Sequence, residues 1–401
     1  MWYNILQLVQ RFNKELRMRK LKMAMVGGGI GAFIGKIHRE AVRMDGGVEV
    51  VAGMFNRDPL QNAEIGERIG VAPERLYPTW QALVEGEAAR ADRADFIAVC
   101  TPNHLHYAIA KAALEAGFHV MCEKPMTLTV EEANEIAALV KRTKRVFGLM
   151  HTYTGYPMVK LARDLVRRGD LGKICKVTVE YCQGSFRKMD FSVPLDKRNK
   201  WKMDPKCSGK SCCMGDIGIH AANLVEFVTG LEIRQVLADL SSFVAPKGLD
   251  DDGNVLLRLA GGAKGVLTAS KIATGEENGL RLRVYGDKKG LVWMQEDPNV
   301  LRVRAQREPE QTWKRANPYV AEVSEASMRA SRPPAGHPEG YIEGFANHYL
   351  NFCDAIRAVD AGKRPTPAML DFPNARDGVR GLKFIDAVVA SSKAGGVWTR
   401  L

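Results

Sequence analysis

The sequence predicts two architectures in series. A doubly wound parallel α/β sheet occupies residues 23–150, and an α+β region with a large, mainly antiparallel open sheet occupies residues 151–401. Three observations carry this reading. Short apolar runs alternate with helical segments up to Met150, as in βαβ units. From Lys173 onward the runs become short, partly alternating strands divided by turns such as Ala260-Gly261-Gly262 and Gly286-Asp287. The chain's 401 residues also exceed what one core ordinarily holds.

Residues 21–26 form an apolar run that reads as a buried strand, and Gly27-Gly28-Gly29-Ile30-Gly31 follows at once. Ala32, Phe33, Ile34 and Gly35 then open a helical stretch through Ala41. A strand, a glycine turn and a helix start make a phosphate site, because the backbone can approach the ligand and the helix offers free N–H groups. Gly27, Gly29 and Ala32 fit a Gly-x-Gly-x-x-Gly/Ala spacing, while Gly29, Gly31 and Gly35 fit a longer one, so both registers stay open. Residues 48–55 are a second strand, ending in Asn56-Arg57-Asp58. An NAD-binding sheet usually places an acid at this strand end; here Asp58 comes two residues late, and Arg57 is placed to meet a 2′-phosphate. The choice between NAD and NADP therefore stays open from these residues, and the other reading of Arg57 is a solvated loop charge.

Residues 95–101 are a third strand, leading into Thr101, Pro102, Asn103 and His106, and residues 107–116 are a helix stopped by Gly117. Residues 119–122 are the fourth, leading into Glu123-Lys124-Pro125. Pro125 cannot continue the ladder, so Lys124 is aimed at the cleft beyond the strand ends, where ligands bind in such sheets. Residues 145–150 are one more strand, reaching His151, Tyr153 and Tyr156. A helix ends near Gly169, and strands are expected over 173–183, 236–242, 254–259, 264–273, 280–285 and 290–295. Between them lie Gly215, Asp216 and His220, then an apolar helical run. If helix has begun by Asp216, it and His220 share a face. An acid beside an imidazole suits proton transfer from an alcohol; the other reading is a helix cap and a structural histidine. The polar stretch 305–339, with five prolines, reads as a long loop. Helices over about 339–359 and 377–392 close the chain, with His348 assigned to surface or packing.

Composition excludes several classes. Hydrophobic content of 46% and charged content of 26% are those of a globular protein. The net charge of +12 shows no interleaving of aromatics with basic residues, so no nucleic acid is expected, and no apolar run spans a bilayer. The eight cysteines form no secreted framework, and Cys207, Cys212 and Cys213 lack paired metal-ligand spacing, so no metal is expected and the compartment is the cytoplasm. Residues 1–22 form a basic leader, read as frayed or as a short docking helix, without a signal-peptide core.

Together the glycine turn, Thr101-Pro102-Asn103-x-x-His106, Glu123-Lys124-Pro125 and Asp216-x-x-x-His220 resemble the Gfo/Idh/MocA oxidoreductase family. Gly27 through Gly35 with His38-Arg39, the segment from His151 to Pro157, Trp201-x-x-Asp204-Pro205 and His337-Pro338-Glu339-Gly340-Tyr341 resemble its levoglucosan dehydrogenase and glucoside 3-dehydrogenase branch. The resemblance implies an N-terminal Rossmann domain and hydride transfer between NAD(P) and a ring hydroxyl, commonly C3, of a glucoside, anhydrosugar or cyclitol. Lys124 would steady the reacting oxygen, His220 would be the general base, and Asp216 would orient His220 or hold a neighbouring hydroxyl. Tyr153, Tyr156, Gln183 and Trp201 would wall the sugar pocket, and a homodimer or homotetramer would form through the open sheet face. A glycoside-cleaving enzyme acting through transient C3 oxidation, and a cofactor sensor without turnover, are the competing readings.

Overall fold

Five short, mostly apolar and buried runs build the first sheet: β1 (Leu21–Gly27), β2 (Val48–Met54), β3 (Phe96–Cys100), β4 (His119–Glu123) and β5 (Phe147–Met150). All pair in parallel, in the order β2-β1-β3-β4-β5. The winding reverses between β1 and β3, which opens a crevice at their C-terminal ends. The structure, a computed structural model, describes residues 19–189, 200–244 and 249–401. Most of the expected leader lies outside the described residues, and β1 takes in Leu21 and Lys22 from its end.

Helices Phe33–Arg43, Pro59–Ile69, Trp80–Ala89, His106–Glu115 and Val130–Thr143 follow the strands. Asp58, Thr79 and Thr129 cap three of them by accepting backbone N–H bonds. A distant piece of chain completes this layer. Helix Tyr341–Asp360 lays Phe345, Tyr349, Phe352 and Ile356 among Met23, Met25, Ile37 and Phe96.

The second sheet has nine strands: β6 (Ile174–Cys182), β7 (Ile233–Ser241), β8 (Asp252–Leu259), β9 (Lys264–Ser270), β10 (Gly279–Gly286), β11 (Lys289–Met294), β12 (Val300–Ala305), β13 (Gln311–Lys314) and β14 (Thr399–Arg400). Their order is β13-β12-β11-β10-β6-β9-β8-β7-β14. Every pairing is antiparallel except β6 with β9. Helices Pro157–Arg167, Ile219–Thr229 and Ala375–Lys393 pack on one face. On the other, Asn254, Leu256 and Arg258 of β8 stand exposed, the alternation of a half-buried strand.

The stretch expected as one long loop over 305–339 contains β13 and two short helices, Pro318–Ala321 and Glu325–Arg329. A buried cation orders it rather than an apolar stripe. Arg315 is 2.9 Å from Glu339 and donates to the carbonyls of Pro333, Pro334 and His337. Local hydropathy carries no trace of such a contact.

Candidate active site

A cleft of about 2000 Å³ runs from the crevice between β1 and β3 to the ends of β6, β10 and β11 in the second sheet. At one end its wall is backbone. Gly27, Gly28 and Gly31 have positive φ, which a side chain resists. A Cβ on Gly27 would lie 2.3 Å from the Cys100 carbonyl oxygen, and one on Gly29 2.7 Å from that of Phe55. One on Gly35 would lie 2.2 Å from the Cα of Gly28, so these two glycines let the helix sit against the turn. Helix Phe33–Arg43 starts without a side-chain cap and without an acid in its first turn. Its N–H groups and dipole are thus left for an anion. The cradle fits a dinucleotide pyrophosphate.

The other end is made of charged and aromatic side chains. Lys124, at the end of β4, donates from Nζ to both the carbonyl oxygen and Oδ1 of Asp216, each at 2.7 Å. Lys271, just past β9, donates to Asp216 Oδ2 at 2.6 Å. Residues 214–218 form a π turn that runs into helix Ile219–Thr229, bringing Asp216 and His220 to the cleft wall. Of the two roles expected for Asp216, a direct hydrogen bond to His220 is not made. The wider turn changes their angular offset, and the two lysines take the carboxylate. His220 Nδ1 instead meets His151 Nδ1 at 3.2 Å.

Burial alone would raise the Asp216 carboxyl, but Lys124 and Lys271 hold it well below the usual carboxylate range. Lys271 moves the other way: burial opposes its charge, and Asp216 keeps it above its ordinary value. Burial, with Lys124 and His151 beside it, holds His220 well below the usual imidazole value. It is therefore neutral at pH 7 and able to accept a proton. Tyr153, pushed up to about 12 by burial, shares a short hydrogen bond with Tyr181. Asn278 accepts from the Tyr181 hydroxyl at 2.7 Å and from Gln183 Nε2 at 2.9 Å, linking these side chains along one wall.

Most expected positions meet at this cleft. Gly27, Gly29, Gly31, Ala32, Phe33, Ile34, Asn56, Arg57, Thr101, Pro102, Asn103 and Glu123 line its nucleotide end. Lys124, Tyr153, Gln183, Trp201, Asp216 and His220 line the other. Three expected positions lie off it. Asp58 caps helix Pro59–Ile69 through Leu60 N at 2.9 Å. His106 is buried, its ring nitrogens meeting the carbonyls of Pro125 and Thr101 and tying two strand ends together. Tyr156 stacks behind Tyr153 at 6.2 Å and borders a smaller adjoining pocket. His348 is fully buried rather than at the surface, with Nε2 3.0 Å from the His151 carbonyl oxygen.

Sequence reasoning missed Lys271, Tyr181, Asn278, Gly28 and Asp250. A lysine inside an otherwise apolar run was the available signal for Lys271. Asp250 accepts from Ser211 Oγ and from the backbone N–H of Cys212 and Met214, all at 2.9 Å, fixing the approach to Asp216. Nothing in its neighbours along the chain announces that. Cys212 lines the cleft and Cys213 is fully buried beside it. No helix among the described residues is long and apolar enough to cross a membrane.

A glycine cradle at a topological switch point, opening onto a lysine, a carboxylate and a neutral imidazole, defines an NAD-binding oxidoreductase. Comparison with known proteins agrees. Residues 21–151 match the model of the oxidoreductase family with an NAD-binding Rossmann fold, and residues 159–292 match the GFO/IDH/MocA C-terminal domain. The chain is 35% identical to the uncharacterized oxidoreductase YfiI of Bacillus subtilis, over 95% of this chain and 96% of that one. It is 27% identical to levoglucosan dehydrogenase of Pseudarthrobacter phenanthrenivorans, over 71% of this chain and 76% of that one. An inositol dehydrogenase homolog from Azotobacter vinelandii, solved with NAD+, superposes with a TM-score of 0.88 at 34% identity, over 96% of this chain and 98% of that one. The chain belongs to the Gfo/Idh/MocA family.

Proposed function

We propose that the protein is a dehydrogenase for a ring hydroxyl, at C3 of a glucoside, anhydrosugar or cyclitol. The observation that carries this reading is the convergence of Lys124, Asp216 and His220, from segments about ninety residues apart, at the far end of the cleft from the glycine cradle. Gly27 through Ala32 and the start of helix Phe33–Arg43 would hold the pyrophosphate of NAD(P), with Asn56 and Arg57 at the adenosine ribose. Thr101, Pro102, Asn103 and Glu123 would flank the nicotinamide end. When bound, the nicotinamide supplies the hydride acceptor or donor.

The side chains divide the remaining work. An ammonium has three N–H donors, and Asp216 takes two of those on Lys124. The third is left for the reacting oxygen, where it steadies the charge that builds as the proton leaves. His220, kept neutral, takes that proton and returns it in the reverse direction. Asp216 holds Lys124 and offsets its charge. Gln183, Trp201 and the hydroxyl chain of Tyr153 and Tyr181 present hydrogen-bonding edges suited to a polyol. The levoglucosan dehydrogenase among the relatives, named for a ring alcohol, supports the substrate class.

The test is reduction of NAD+ and NADP+, followed at the dihydronicotinamide absorbance, with glucosides, levoglucosan, inositols and free sugars, and with open-chain alcohols and hydroxy acids beside them. Turnover confined to one of these ring-alcohol groups is expected. Turnover only with open-chain alcohols or hydroxy acids would refute the reading.

A further inference from the structure

The geometry points to His151 as the residue that fixes which nitrogen of His220 faces the cleft. The inference rests on His220 being the proton acceptor. His151 follows β5 directly and is buried, and it does not line the cleft. Its main chain is held on two sides: its carbonyl oxygen lies 3.0 Å from His348 Nε2 and accepts from Thr154 Oγ1 at 2.9 Å. The ring is set edge-on to that of His220, with centroids 5.0 Å apart. No partner reaches His151 Nε2, so the contact between the two Nδ1 atoms is its one side-chain hydrogen bond among the described residues.

Two neutral imidazoles can bond through their Nδ1 atoms only if one carries the proton there and the other does not. Burial, together with Lys124, keeps both rings neutral. If His220 donates, its Nδ1 is protonated, its Nε2 presents a lone pair to the cleft, and His151 carries its own proton on Nε2, which no side chain among the described residues accepts. If His151 donates, His220 turns an N–H toward the cleft and cannot accept a proton from an alcohol. The local charge favours the first arrangement. Lys124, Lys271 and Asp216 together leave one net positive charge at the cleft end, which attracts a lone pair and repels an N–H. Proton balance then follows. The alcohol proton moves to His220 Nε2, the ring becomes an imidazolium, and its Nδ1–H bond to the neutral His151 becomes charge-assisted. His151 is a positioning residue that never touches substrate.

The direct test is ¹⁵N NMR of the full-length protein labelled at histidine. The His220 signals, assigned by their loss in His220→Gln, are expected to show a protonated Nδ1 and a bare Nε2. The opposite pattern in the wild-type protein overturns the proposal, whatever the substrate proves to be. Kinetics give a second arm. His151→Phe keeps a ring in the core but has no acceptor, and kcat is expected to fall roughly 10²-fold with KM changed by less than about threefold. His151→Asn, which restores an acceptor near the Nδ1 position, should recover at least about tenfold of that loss. Wild-type kcat in His151→Phe, or no recovery in a folded His151→Asn, also overturns it. Absence of turnover by the wild-type protein on every ring alcohol would instead overturn the proposed function, and the NMR result would still decide the tautomer.

Discussion

The two ends of the cleft are built on opposite principles. The cradle at the nucleotide end is backbone: glycines and one helix start, all within Gly27 to Gly35, shaped by the absence of side chains. The other end is side chains from four separate stretches of chain, in two hydrogen-bonded groups: Lys124 and Lys271 on Asp216, and His151 behind His220. Backbone recognition tolerates little added volume. Side-chain chemistry tolerates volume better but depends on charge and on tautomer.

The largest effect should come from the reacting end. Lys124→Ala and His220→Ala are each expected to lower turnover by ~10²–10⁴ while NADH affinity, read by fluorescence titration, stays within a few fold. Near wild-type turnover in either would remove that residue from the chemistry. Acidification addresses the same end through stability. His151, His220 and His348 are held neutral in the fold, whereas their unfolded forms protonate near pH ~6.5. Their contribution is complete above that pH and falls as pH drops toward the folded values, about 3 for His151 and His348. Each loses about 1.4 kcal/mol per pH unit in that window. Calorimetry should show Tm dropping between pH 7.5 and 5.5; a flat Tm would contradict the neutral-histidine assignment.

At the nucleotide end, Gly35→Ala sets a methyl 2.2 Å from the Gly28 Cα. The helix must move, at about 1–3 kcal/mol, and NADH affinity should weaken by roughly tenfold or more with kcat at saturation little changed. Equal losses in kcat and affinity would mean that the two ends are not separable. The smallest effect is expected from Arg57→Ala, where the ratio of NADP+ to NAD+ efficiency should fall by about tenfold if the guanidinium meets a 2′-phosphate. An unchanged ratio would leave Arg57 as a solvated loop charge.

Legibility followed the same division. The five buried strands, the helices after the first and third of them and the glycine turn are read from adjacent residues, because each depends on apolar period and on turn chemistry at fixed offsets. The six expected strands of the second domain were found to within a few residues. β12, β13, β14 and the helices around Arg315 were not; β13 and those helices were missed because a polar segment ordered by one buried guanidinium looks like a loop. Lys124, Asp216 and His220 were singled out on strand-end position and helical spacing, but not the side chains that they meet in the fold. Helical spacing pairs them with each other, and the fold pairs them with Lys271 and His151.

By itself, then, the sequence determined the five parallel strands, most of the second sheet, the glycine turn and the identity of three cleft residues, since local sterics and hydropathy decide those. Only the tertiary structure decided which lysines neutralise Asp216, that His151 faces His220, and that helix Tyr341–Asp360 completes the first layer. Those are contacts between segments tens to hundreds of residues apart, and no local pattern encodes which buried charge will find which partner.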